Sequence, residues 1–248
     1  MVKVICAGAP KTGTKSLARA LRILGYNEVY DYEEGLEFAF DEWEEILHNR
    51  STDVNAVLEK VYSKDCEAVV DLPHSHFFEF FLKRWPDAKV ILMTRDETSW
   101  FTSFADMLNL AKNQHWMLNL LVYFVPASRR IRVYHEKLFS TVLGSEAPNE
   151  LKWKMWYRRH NCYVKETVPP NQLLVFNISE GWDPLCAYLD KDIPDEPFPF
   201  ENKAGSKTSI VERVIEDTAI VKRIKLEATI ILSVAPILFL VLIYYFFF

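Results

Sequence analysis

Two lysines, two threonines and a serine crowd into Pro10-Lys11-Thr12-Gly13-Thr14-Lys15-Ser16, a stretch with a single glycine. Cations and hydroxyls at that density suit a small polyoxyanion, a phosphate or a sulfate. The backbone amides of a tight turn opening a helix point at the same spot and add to the attraction. The chemistry on offer is therefore anion binding, with a lysine inside the loop to meet charge.

Such a loop has to be held between a strand and a helix, and the flanking sequence supplies both. Val2 to Ala7 is a short apolar run with β-branched residues, and Leu17, Leu21 and Leu24 recur at helical spacing. Further strands are expected in 67–73 (EAVVDLP), 88–96 (AKVILMTRD) and 172–178 (QLLVFNI). Their continuous apolar character fits buried parallel strands. Helical spacing is seen at Leu36, Phe40, Trp43 and Leu47, at Val54, Leu58 and Val61, through 76–85, and over 129–143 and 149–166. The predicted fold class is α/β, a three-layer phosphate-loop architecture with a central parallel sheet. Ligands in such folds bind at the carboxyl ends of the strands.

The chain has 248 residues, half of them hydrophobic, with no low-complexity linker and no internal repeat, so one sizeable core is expected. A formal net charge of −5 argues against a nucleic-acid surface, so an anionic ligand must be met by a local basic cluster. Cys6, Cys66, Cys162 and Cys186 lack metal-ligand spacing and read as reduced thiols of a cytosolic domain; no metal site is expected. Eight acidic residues between 31 and 45 are expected on the solvated side of a helix, opposite its apolar stripe. From Ala228 to Phe248 the chain carries no charge, and Lys222, Arg223 and Lys225 precede that run. This reads as a C-terminal transmembrane anchor with the domain facing the cytosol. The expected organisation is an α/β domain over 1–208, a connecting helix over 209–227 and the anchor over 228–248. The apolar segment 115–128 reads equally as a lid, an interfacial patch or a core helix.

The register of the loop narrows its ligand. Nucleotide hydrolases place Gly-Lys-Ser/Thr four residues after the first glycine; here Thr14 follows Gly13 and Lys15 comes one position late. No GxGxxG is present for a dinucleotide. Pro10-Lys11-Thr12-Gly13-Thr14 instead resembles the 5'-phosphosulfate loop of sulfotransferases that use 3'-phosphoadenosine-5'-phosphosulfate (PAPS). A second resemblance lies in Arg95, at a strand end, with Ser103 eight residues on: the family's 3'-phosphate site has that order. The stretch 158–202, with Trp182-Asp183-Pro184-Leu185-Cys186 and Pro197-Phe198-Pro199, is similar to a sulfotransferase-like group of fungi and animals. Two departures stand out. The Arg-Lys-Gly loop of cytosolic sulfotransferases is missing, with Lys203 and Lys207 as the available substitutes. Asp71 fills the slot before Leu-Pro where those enzymes carry a histidine base.

The resemblance implies a sulfo transfer from PAPS to a hydroxyl or amine, with no metal required, and the C-terminal run would place it at a membrane. Lys11 would meet the charge growing on the bridging oxygen. Lys11, Thr12, Gly13, Thr14, Lys15 and Ser16 would hold the 5'-phosphate, and Arg95 and Ser103 the 3'-phosphate. For the acceptor proton there are two candidates. Asp71, with an ordinary carboxylate value near 3.9, needs burial to become a base, while His74 is better tuned but three residues further on. Two other classes stay open: a Mg-nucleotide kinase or hydrolase using Lys15, Ser16 and Asp71, and an inactive sulfotransferase-like scaffold.

Overall fold

The computed structural model describes residues 1–48, 53–62, 65–114, 122–200 and 218–247. Lys203, Lys207, residues 115–121 of the apolar segment and residues 209–217 of the expected connecting helix lie outside them. Five strands, β1 (Val4–Cys6), β2 (Val29–Tyr30), β3 (Ala68–Val69), β4 (Lys89–Met93) and β5 (Leu173–Phe176), form one parallel sheet in the order β2-β3-β1-β4-β5. Neighbouring strands are in register with Val4 opposite both Ala68 and Lys89, and with Tyr30 opposite Val69. From β1 the chain crosses to the edge strand β2, returns to β3 beside β1, and then passes to β4 and β5 on the other side of β1, so the connections change side at β1, and the loop after it opens into the crevice where ligands bind in such sheets.

Alternation along the strands makes the three layers, because successive side chains leave opposite faces. Val4, Cys6, Ala68, Val70, Ile91 and Met93 pack on helix α1 (Thr14–Ile23) and on α9 (Trp182–Leu189). Ile5, Val69, Val90 and Leu92 face the larger layer: α2 (Tyr32–Phe38), α3 (Phe40–Leu47), α4 (Val54–Tyr62), α5 (Phe78–Arg84), α6 (Glu97–Gln114), α7 (Pro126–Leu143) and α8 (Glu150–Thr167). Phe198, from the Pro-Phe-Pro segment, is buried against Trp182 at 4.9 Å between ring centres, which closes the α1–α9 side over the end of β5.

Two local expectations change. The apolar stripe Leu36 to Leu47 is not one helix: it breaks at Ala39, which ends α2 and begins α3 with φ −133°. Nor are the acidic groups of 31–45 all solvated. Asp31 and Glu44 are buried, each held by a cation from elsewhere in the chain, Lys15 and Arg130.

The expected transmembrane anchor is corrected as well. Among the described residues no helix is long and apolar enough to cross a membrane. The C-terminal run belongs to α10 (Ala219–Phe247), one helix whose first turns dock on the domain. Ile220 and Ile224 are buried in the larger core, Ala228 and Ile231 pack against it, and Glu227 accepts the Ala127 amide at 2.8 Å. The boundary foreseen at 227/228 therefore falls inside a docked segment. What stands clear, Leu232 to Phe247, is about 24 Å of helix, short of a hydrocarbon core of about 30 Å.

Candidate functional site

The loop from Ala7 to Ser16 is shaped by two glycines and by donors, three of them from elsewhere in the chain, that hold its carbonyls. A Cβ on Gly8 would lie 2.4 Å from that of Met93, so the loop passes directly over the end of β4. Gly13 has φ +112°, and a Cβ there would meet Ile178 at 2.4 Å. His160 contacts the Ala7 carbonyl at 2.6 Å, the Thr12 hydroxyl donates to Ala9 at 2.6 Å, Trp100 Nε1 to Pro10 at 2.8 Å and Arg95 Nη1 to Lys11 at 3.1 Å. With carbonyls anchored outward, the loop and the N-terminus of α1 are left to face an anion.

Lys11 sits within this turn in the left-handed region, φ +66°. Burial pushes its ammonium below the ordinary lysine value; Asp71 opposes that, while Arg95 and Lys15 add to it. Lys11, Arg95, Lys15 and Asp71 thus act on one another across the mouth of the loop. Ser103 is half-buried one turn beyond Trp100 on α6, the helix that Trp100 ties to the loop. The backbone of Arg95 is pinned on both sides by Tyr157, whose hydroxyl accepts from its N–H at 2.9 Å and donates to its carbonyl at 2.8 Å.

Asp71 lies one residue beyond the end of β3, in the left-handed region with φ +63°. Its Oδ2 accepts the Thr14 hydroxyl at 2.6 Å and its Oδ1 the Leu72 amide at 2.7 Å. Burial raises its carboxyl above the usual range and Asp31 reinforces this, while Lys15, Thr14 and the Leu72 amide oppose it. The strand end thus brings Asp71 to the loop. His74 is placed otherwise. It is fully buried, one ring nitrogen against the Val70 carbonyl at 2.9 Å and the other against the Tyr62 hydroxyl at 3.0 Å. Tyr62 also accepts from Trp43 Nε1 at 2.6 Å, and burial pushes His74 down to about 4. Both nitrogens being engaged in the core, His74 has none to offer an acceptor. It does not cap α5 either, whose N-cap is Phe77.

Lys15 points away from a phosphate role. Its ammonium pairs with Asp31 Oδ2 at 2.7 Å and with Glu33, and its side chain is 8% exposed. Its backbone still belongs to the first turn of α1, as do Thr14 and Ser16. Asp31 and Tyr32 were not foreseen as neighbours of the site. The Asp31-x-x-Glu34 capping box that fixes them was visible in the sequence as a helix start. Tyr32 also hydrogen-bonds His135 of α7, whose ring burial holds at about 4.

A parallel sheet with an anion loop at its switch point, a lysine within the loop and a carboxylate at the next strand end defines a phosphate-loop-like α/β protein. The family model of the sulfotransferase domain matches residues 3–207, and the chain belongs to that family. A protein of Aspergillus versicolor described as "Ava biosynthesis cluster protein M" is 27% identical over 214 residues, which cover 80% of each chain.

Proposed function

We propose that the protein is an active sulfotransferase that takes PAPS as donor and passes the sulfo group to a hydroxyl or amine acceptor. The observation that carries this reading is the division of labour between the two loop lysines. Among the described residues Lys11 pairs with no carboxylate, whereas Lys15, the lysine a Mg-nucleotide enzyme would need, is locked onto Asp31 and Glu33. The loop also suits the donor: Gly8 and Gly13 let it seat tightly on Met93 and Ile178, where a Cβ would clash, so that it leads straight into the first turn of α1, whose amides would face the 5'-phosphate.

Bound there, PAPS would supply a sulfo group on a phosphate leaving group. The first turn of α1, with Thr14 and Ser16, would hold the 5'-phosphate, and Arg95 and Ser103 the 3'-phosphate. The acceptor oxygen or nitrogen forms the new bond to sulfur as the bond from sulfur to the bridging phosphate oxygen breaks. Lys11 would meet the charge left on that oxygen, and Asp71, not His74, would take the acceptor's proton.

Calorimetric titration with PAP, the desulfated donor, tests the reading. PAP is expected to bind equally with and without EDTA, and Arg95→Ala to weaken it by about ten- to a hundred-fold, the worth of one charge-assisted hydrogen bond. Adenosine 5'-phosphosulfate, lacking the 3'-phosphate, should feel that substitution little. Tight ATP binding that needs Mg²⁺ would overturn the assignment.

The membrane is the proposed setting, with the domain on the cytosolic side. Leu232, Ile237, Leu240, Val241, Tyr244 and Tyr245 are exposed on the free part of α10, beyond basic Lys222, Arg223 and Lys225. A bilayer is the partner that would cover them. The full chain should sediment with lipid vesicles, and a chain ending at Ser233 should not; an intact chain that stays in the supernatant would sink the idea.

A further inference from the structure

Asp71 is one of two carboxylates that leave adjacent strands at the same end of the sheet. Tyr30 of β2 lies opposite Val69 of β3, so Asp31 and Asp71 follow that register pair by one and two residues. Between them comes the first turn of α1, where two successive residues divide the carboxylates. The Thr14 hydroxyl bonds Asp71 at 2.6 Å, and the Lys15 ammonium bonds Asp31 at 2.7 Å. The Asp31 side chain is 3% exposed and fixed from its other oxygen, which caps α2 through the Tyr32 amide at 2.7 Å. An ammonium buried among carboxylates goes to the one that is best placed, and Asp31 is anchored to be that one.

We propose that Asp31 is a positioning residue that keeps the Lys15 ammonium off Asp71, leaving Asp71 with only neutral donors and so able to accept a proton. This rests on the reading of Asp71 as the base. Without the pairing, Lys15 would turn to Asp71, the next buried carboxylate, and hold it as a fixed anion. The groups around Asp71 agree with that role. From the loop and α1 it faces Lys11, Thr14 and Lys15; from α2, Asp31 and Tyr32; from β1, Cys6; and within its own turn, the Leu72 amide and His74. Glu33 shares Lys15 with Asp31 and cannot replace it, because among the described residues Glu33 has no bond like the Asp31–Tyr32 cap to tie it to the turn beside Asp71.

The experiment titrates the Asp71 carboxyl by carbon NMR in the full chain, its resonance assigned by loss in Asp71→Asn. Asp31→Asn keeps the cap, since Asn is as good an N-cap as Asp. It is expected to lower the Asp71 midpoint by about one pH unit, because a negative neighbour is lost and Lys15 is released toward Asp71. Lys15→Met should raise the midpoint, and in that background Asp31→Asn should retain less than half of its shift. Asp31→Ser, also a capping residue, repeats the test should the Asn variant fold poorly. An undiminished shift in the Lys15→Met background, no shift at all, or shifts of the same sign in the two single variants would overturn the proposal. Turnover does not enter, so a failure of Asp71 as base, seen as unchanged activity in Asp71→Asn, is told apart from a failure of the pairing.

Discussion

Lys11→Ala is expected to slow cleavage of PAPS to PAP by about 10²–10³-fold while PAP binds within about tenfold of the wild type. The asymmetry follows from when the partner charge appears. In PAP the leaving group has already departed with its charge spread over a phosphate that the loop amides hold. In the proposed transition state, charge would be growing on the bridging oxygen that Lys11 is to meet. The ammonium is preorganised there by a backbone in the left-handed region, φ +66°, whose carbonyl Arg95 holds at 3.1 Å. Lys11→Arg restores charge at a different reach and should recover only part of the rate. Since burial lowers the Lys11 value and the ammonium is the active form, activity should fall on the alkaline side, earlier than an exposed lysine would dictate. Radiolabelled PAPS, with water as acceptor where no other is supplied, gives the rate. Equal losses in rate and in PAP affinity would make Lys11 a binding residue only.

The elements that frame this site were legible because burial writes itself into sequence. The apolar runs 67–73, 88–96 and 172–178 contain β3, β4 and β5, and the Leu17-Leu21 spacing marks the buried side of α1. β2 escaped notice because Val29–Tyr30 is too short for any period. The side-chain partners were illegible for a different reason. That Asp31 holds Lys15, that Glu44 holds Arg130 and that Trp100 ties α6 to Pro10 are consequences of the strand order, and a charge count along 31–45 cannot distinguish them from solvated acids. His74 shows the limit most clearly. Its ordinary titration range made it the better-tuned base, yet Tyr62 and Val70, at either end of the intervening loop, consume both nitrogens. The C-terminal run was judged by its lack of charge, but its first residues, Ala228 and Ile231, pack on the core behind Ile220 and Ile224 and shorten the free helix.

With His74 committed to the core, Asp71 is the proposed base, and on that reading Asp71→Asn should lower turnover by about 10²–10⁴-fold with PAP affinity near the wild type. Asn is the replacement that isolates the chemistry. It tolerates the left-handed backbone at φ +63°, where Ala would add strain, and its carbonyl oxygen still accepts the Thr14 hydroxyl or the Leu72 amide. What it lacks is a lone pair basic enough to take a proton. The pH profile separates this from a loss of shape. Asp71 works ionised, and its value is raised, chiefly by burial and then by Asp31. Activity of the wild type should therefore climb on the acid side at a higher pH than an ordinary carboxylate would give, and Asp71→Asn should lose that limb along with the rate. Turnover as a function of pH, measured beside PAP affinity and melting temperature, decides it: a flat loss of affinity would mark Asp71 as a strut for Thr14, and an unchanged acid limb would mean that the proton leaves by another group.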